Sequence, residues 1–434
     1  MTNSTSIGRR LSRVLTLIGV ILVLGFYAEV LAHAPVKGQD LRNFYAAATL
    51  LRHGGNPYDA DRFLARQEAL YHPIHAADRA ALAGNPYVQG PPLAIALMPF
   101  VGAAPSTVYV VWAVVLALCA LIALVILAHL WPVPHAARRG FLLSISPVTF
   151  LGILLGQPDA ALLLALVAAL WTMERNHPWS SGLSGLLLTV GLIKPQIIAG
   201  PIVLLAVLAW RRGRLAPYTG GVLGGAALFL ALSLLGASPT VVGGWAGGLV
   251  GFGRATVYNQ VDISSLTTLY VGWAPHGLSL ILSALALLGW IGLCTWAWRA
   301  AGAGRDERWW LGVGLVGWLL ATPYAHPHDD ILLLPAVWLL YIHNPTMQGM
   351  IGSISFSCSK ANKYILRSLF SNSLHLAWWL MPMMSVLGLR PPGTRGLGII
   401  PILLIALVYG AARPTFAMQP TPHPAVVTSS TSPK

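Results

Sequence analysis

The chain is a succession of apolar runs joined by short polar connections, and nearly all of its charge sits in the connections. Only 9% of its 434 residues are charged and 56% are hydrophobic, whereas a soluble domain carries roughly 25% charged residues. A helix of about 20 apolar residues crosses a bilayer. In lipid the backbone must satisfy its own hydrogen bonds, which leaves helices as the spanning element for such runs. The expected fold is therefore an all-α polytopic membrane protein with about 10–12 transmembrane helices and a polar cavity on one face. Candidate spans are 14–34, 106–131, 140–156, 158–173, 180–194, 196–210, 216–236, 276–299, 308–323, 329–343, 372–389 and 397–412.

The formal charge of +14 does not point to nucleic acid. The basic residues fall in small clusters between apolar runs: Arg9-Arg10, Arg138-Arg139, Arg211-Arg212-Arg214 and Arg305/Arg308. Such clusters set membrane topology, because Lys and Arg stay on the cytoplasmic side. With Arg9, Arg10 and Arg13 in the cytoplasm, the others follow, and the first run reads as a retained helix rather than a cleaved signal. This places the N-terminus inside, and the expected location is the inner (plasma) membrane with the site facing outside. Cys119, Cys294 and Cys358 show neither a disulfide framework nor metal-type spacing.

One transmembrane domain over 1–412 is expected, followed by a disordered tail at 413–434. Within it, 35–90 forms an outer loop with surface helices, one of them starting at Asp40 and ending at Gly54-Gly55. Residues 237–275 form a second outer segment. Residues 345–371 form a linker of atypical composition. Gly55-Asn56-Pro57-Tyr58 recurs as Gly84-Asn85-Pro86-Tyr87, two turn signals that flank the outer loop.

The threading puts Asp40, Gln157, Asp159, Lys194, Asn259, His326 and His328 on one face, all at span ends. Polar groups at a bilayer boundary are costly unless they line a wet cavity, so the cluster marks a candidate site. Each residue also has a plainer reading. Asp40 suits a helix N-cap. Gln157 and Asp159 suit a turn between spans. Lys194 suits snorkelling to the interface, although Pro195 breaks the helix there. The run Tyr324 to Asp330 suits a helix start, with the acids at the positive end of its dipole. No metal-ligand pattern, phosphate-binding loop or dinucleotide fingerprint is present.

The motifs come in a distinctive order: DLRNFYAAATLLRHGGNPYD from Asp40, YVQGPPLAIALMPF from Tyr87, GQPDAALLLALVAAL from Gly156, GLIKPQ, YNQVDISSL and PYAHPHDDILLLP. Over roughly 14–343 this order resembles glycosyltransferase family 87, which includes polyprenol-phosphate-mannose-dependent α-1,2-mannosyltransferases. The resemblance implies a C-type glycosyltransferase fold and an integral-membrane inverting transferase. The sugar, mannose foremost, would pass from a polyprenyl-phosphate donor to a lipid or glycan acceptor outside the cytoplasm. The lipid-linked sugar is a substrate, and no cofactor or nucleic-acid partner is implied. Asp40 matches the catalytic base. Lys194, His326 and His328 match donor-phosphate contacts. Arg42, Tyr45, Tyr58, Tyr87, Gln157, Asp159, Gln196 and Asn259 are candidates to line the acceptor cavity. Gln89-Gly90 before the paired prolines and the 345–371 segment depart from the pattern. A transporter or flippase for lipid-linked sugars is the alternative; it calls for mid-span charges and inverted repeats.

Overall fold

The computed structural model describes Gly25 and residues 38–71, 87–132, 147–175, 177–255, 276–302, 307–322 and 329–342. The candidate sites Asn259, His326 and His328 lie outside these residues, as do the linker 345–371, the tail 413–434, the spans 372–389 and 397–412, and nearly all of 14–34. The protein is an all-α polytopic membrane protein: among the described residues it is 86% helical and has no strand.

In chain order the helices are α1 (Gln39–Arg52), α2 (Ala60–Leu70), α3 (Pro91–Leu97), α4 (Pro105–Leu130), α5 (Pro147–Leu155), α6 (Asp159–Met173), α7 (Pro178–Leu188), α8 (Pro195–Arg211), α9 (Leu215–Gly236), α10 (Pro239–Ala255), α11 (His276–Gly302), α12 (Glu307–Ala321) and α13 (Leu334–Ile342). Short 3-10 turns extend α3 (Met98–Phe100) and α7 (Thr189–Ile193) and lead into α13 (Asp329–Leu333). Proline opens many of these helices, where its missing N–H has no intrahelical partner to lose.

Pro105–Leu130, Leu215–Gly236 and Ile281–Arg299 are long and apolar enough to cross a membrane. Their outward faces carry Val110, Val114, Leu223, Leu235, Ile281 and Leu288, all strongly exposed. Acyl chains accept such surfaces and water does not. The runs expected as spans 158–173, 180–194 and 196–210 are helices short of a full crossing, and the chain breaks at Gln157-Pro158 and at Lys194-Pro195; of the run 140–156 the described part is the helix Pro147–Leu155. The 15 residues of α6 reach about 22 Å, short of the ~30 Å hydrocarbon layer. Non-helical backbone at such breaks is tolerated only where protein or a wet cavity surrounds it.

One of the two segments expected on the outer side packs differently from expectation. The helix from Asp40 does not lie exposed as an amphipathic surface helix. Leu41 and every residue from Asn43 to Leu51 are buried, and α1 packs against α2, α3, α4 and α5. Small alanines at 46–48 let the neighbours approach. The Gly-rich stretch after 237 contains a helix, α10, whose Trp245 packs against Phe229 of α9 with the ring centroids 5.3 Å apart and the planes tilted by 44°.

The core is tied by close helix contacts and by side chains that close broken backbone bonds. A side chain at Gly221 of α9 would run into the Gly182 carbonyl of α7, so the glycine permits the close crossing typical of membrane helices. Pro201 inside α8 leaves the Ile197 carbonyl without its helical donor. Trp318 of α12, which is buried from Trp309 onward, supplies one, its indole N–H reaching Ile197 O at 2.8 Å. Helices α6 and α8 are fastened at both ends. At the far end, Arg212 donates to Glu174 Oε1 (2.9 Å), Glu307 Oε2 (2.9 Å) and Met173 O (2.9 Å). At the near end lies the site described next.

Candidate active site

Three helix breaks and the start of α1 converge. The turn Gly156-Gln157-Pro158-Asp159 joins α5 to α6. It lies against the first residues of α1, where Gly38 N donates to Leu154 O at 2.7 Å. Gly156 adopts a left-handed φ of 79° and faces Leu41, whose Cβ would be 2.7 Å from a Cβ at Gly156. Trp112 of α4 donates its indole N–H to Gly156 O at 2.7 Å, and Gln157 N returns to Gly152 O at 2.9 Å.

Asp40 sits in the first turn of α1, but it does not cap the helix. The N-cap is Gly38, and no side chain caps. The Asp40 carboxylate instead accepts a hydrogen bond from the Gln157 amide, Nε2 to Oδ2 at 2.8 Å. Only the amide nitrogen can donate to a carboxylate, so the bond also sets which way the amide points. Asp40 keeps part of its surface open although it lies in a largely buried cluster with Gln157, Lys194 and Asp329. Burial pushes its carboxyl up to about 6, against the opposing pull of the Gln157 hydrogen bond and of the Lys194 charge; Asp329 pushes it the same way as burial.

Lys194 stands at the N-cap of α8. Its Nζ bonds Asp159 Oδ1 at 2.7 Å and Asp329 Oδ1 at 2.8 Å, with all three side chains at most 5% exposed. An ammonium at a helix N-terminus adds to the positive end of the dipole, and two carboxylates compensate it. The bridge joins the α5–α6 turn, the α7–α8 break and the 3-10 turn before α13. The donor-phosphate role expected of Lys194 thus asks it to add a phosphate oxygen to two carboxylates that it already holds. Asp330, also buried, follows in the same turn.

The residues read from the sequence therefore divide. Asp40, Gln157, Asp159 and Lys194 come together. The tyrosines do other work. Tyr45 Oη donates to Ala103 O and accepts from Gly102 N, both at 3.0 Å, and pins the turn before α4. Tyr87 is buried among Phe44, Tyr58 and Phe63, and Tyr58 Oη donates to Gln89 O. The two repeated Asn-Pro-Tyr motifs thus meet through their tyrosines, with the rings 5.3 Å apart. Arg42 is exposed and lies over the Tyr71 ring at 5.5 Å. Gln196 is half-buried and takes Thr322 Oγ1 on its carbonyl at 2.7 Å. In the sequence Asp329 reads as a helix-start acid. Its partnership was foreshadowed by one signal: a lone lysine at one span end, with a pair of acids at another on the same face.

The model of glycosyltransferase family 87 matches residues 87–323, more than half of the chain. The protein belongs to glycosyltransferase family 87. The matched stretch holds Gln157, Asp159, Lys194 and Gln196, while Asp40 precedes it and Asp329 follows it. No curated protein and no solved structure matches the chain. Membership in the family makes the protein a glycosyltransferase, and its exposed apolar helices make it a membrane protein.

Proposed function

We propose that the protein moves a sugar, mannose foremost, from a polyprenyl-phosphate donor to a lipid or glycan acceptor on the non-cytoplasmic side of the plasma membrane, with inversion at the anomeric carbon. The observation that carries this reading is the Asp40 carboxylate, half-open, held by Gln157 and raised toward neutrality by burial. A base works best when its pKa lies near the operating pH, and Asp40 at about 6 is still ionised at pH 7.

In the reaction Asp40 takes the proton from an acceptor hydroxyl as that oxygen attacks the anomeric carbon. The carbon–oxygen bond to the phosphate breaks, and its electron pair leaves with the polyprenyl phosphate. A phosphate leaves without a protonating acid, so one carboxylate suffices where glycoside hydrolysis uses two. Charge that grows on the leaving phosphate calls for nearby donors. Lys194 and the His326/His328 pair are the proposed donors, Lys194 from within its bridge to Asp159 and Asp329. The side of the membrane is supported by the opposite placement of the two charge clusters. The arginines Arg211, Arg212 and Arg214 gather at one end of α6 and α8 and the acidic site at the other.

The test is transfer by the purified chain in nanodiscs, with a panel of polyprenyl-phosphate sugars and crude lipid acceptors, comparing wild type with Asp40→Asn. Asn keeps the shape and loses the base, and a positioned base contributes about 10²–10⁴-fold, so turnover should fall by that order while donor still binds. Equal turnover in the two proteins rules out Asp40 as the base. Sugar flux across sealed vesicles without transfer points instead to a transporter.

A further inference from the structure

Gln157 is the one side chain hydrogen-bonded to Asp40 among the described residues. Its own position is over-determined. The turn that carries it is held by Gly38 N to Leu154 O, by Trp112 Nε1 to Gly156 O and by Gln157 N to Gly152 O. Two residues on, Asp159 is anchored by Lys194. The amide therefore reaches Asp40 from a fixed backbone rather than from a flexible loop. Its other atom, Oε1, is buried with no hydrogen-bond partner among the described residues. A buried amide with an unmet acceptor is poorer for folding than an apolar side chain of equal length, so packing alone does not account for a glutamine here.

The bond has two chemical consequences. Gln157 occupies Oδ2, which leaves Oδ1 as the oxygen that can receive a proton from an acceptor. A donor to the carboxylate also favours its ionised form. We propose, on the reading of Asp40 as the base, that Gln157 is a positioning residue for transfer: its amide nitrogen holds Asp40 Oδ2, so that Oδ1 alone meets the acceptor hydroxyl and the carboxylate stays ready to accept a proton. The charged groups that face Asp40 among the described residues are Lys194, which favours the ionised form, and Asp329, which opposes it. Gln157 is neutral and acts through the hydrogen bond alone.

The inference is tested without donor or acceptor, so its outcome is separate from that of the transferase reading. Dicyclohexylcarbodiimide modifies protonated carboxyls in apolar settings. Its labelling of Asp40 in the full-length protein in nanodiscs is followed by mass spectrometry across pH 4–9. Gln157→Met keeps the length and removes the donor. Gln157→Asn keeps the amide but, on the fixed turn, falls one carbon short. A hydrogen bond to a charged group is worth roughly one to two pH units of ionisation. The labelling midpoint should therefore move up by about that much in Gln157→Met, and likewise in Gln157→Asn. A midpoint that stays at the wild-type value in either folded variant overturns the proposal. Loss of the folded, monodisperse protein in both variants overturns it too, because it makes Gln157 a residue of the scaffold.

Discussion

Lys194 offers the sharpest test of how this site is held together. Its ammonium lies 2.7 Å from Asp159 and 2.8 Å from Asp329, all three groups being buried. Lys194→Met preserves the length of the side chain and removes the charge, which strands two carboxylates face to face. Removing one partner of a buried ion pair costs about 3–5 kcal/mol, because the remaining charge stays desolvated and uncompensated. At roughly 2 °C per kcal/mol, the lower bound for domains smaller than this chain, the melting temperature should fall by about 6–10 °C. The companion is the triple variant Asp159→Leu, Lys194→Met, Asp329→Leu. Replacing a whole buried ionic group with apolar residues is often neutral or stabilising, so the triple variant should recover most of the loss while its transfer activity stays low. Thermal unfolding of the detergent-solubilised full chain, read by tryptophan fluorescence, compares the three proteins. A single variant that melts within about 1 °C of wild type would falsify the view that this bridge is a buried brace between three helix breaks.

Two further outcomes follow from the same geometry. With the Asp40 carboxyl near 6, the base is protonated and inactive in acid, so kcat/KM should be level above about pH 7 and fall about tenfold per pH unit well below 6; a flat profile from pH 5 to 8 contradicts the assignment. Gly156→Ala places a Cβ 2.7 Å from that of Leu41 and forces a left-handed φ on alanine. It should cost about 1–3 kcal/mol of stability from the backbone alone, and it should depress transfer by shifting the turn that carries Gln157; unchanged melting and activity would show that the turn can give.

Much of the architecture was legible because one physical rule dominates a membrane chain: long apolar runs must be helical. The runs at 106–131, 216–236 and 276–299 became α4 (Pro105–Leu130), α9 (Leu215–Gly236) and α11 (His276–Gly302) almost residue for residue. Asp40 and Lys194 stood out because polar groups at span ends are rare and costly. The short runs misled for the same reason. Hydropathy measures composition, so 158–173 looks like a span although α6 is too short to cross alone. The helix from Asp40 showed an amphipathic period, and its burial on nearly every side came from neighbours far along the chain.

By itself, then, the sequence determined the class of fold, the positions of the helix breaks at Pro158 and Pro195, and the grouping of Asp40, Gln157, Asp159 and Lys194. These depend on local composition, on proline geometry and on the cost of charge in lipid. Tertiary structure alone decided the partners. Asp40 bonds Gln157 rather than capping its own helix, Lys194 lies between Asp159 and Asp329 rather than reaching for the interface, and Tyr45 and Tyr87 are spent on the scaffold. Those pairings join residues up to 135 positions apart. Hydrogen-bond length and angle, which select one partner from several of the right chemistry, exist only once the helices have packed.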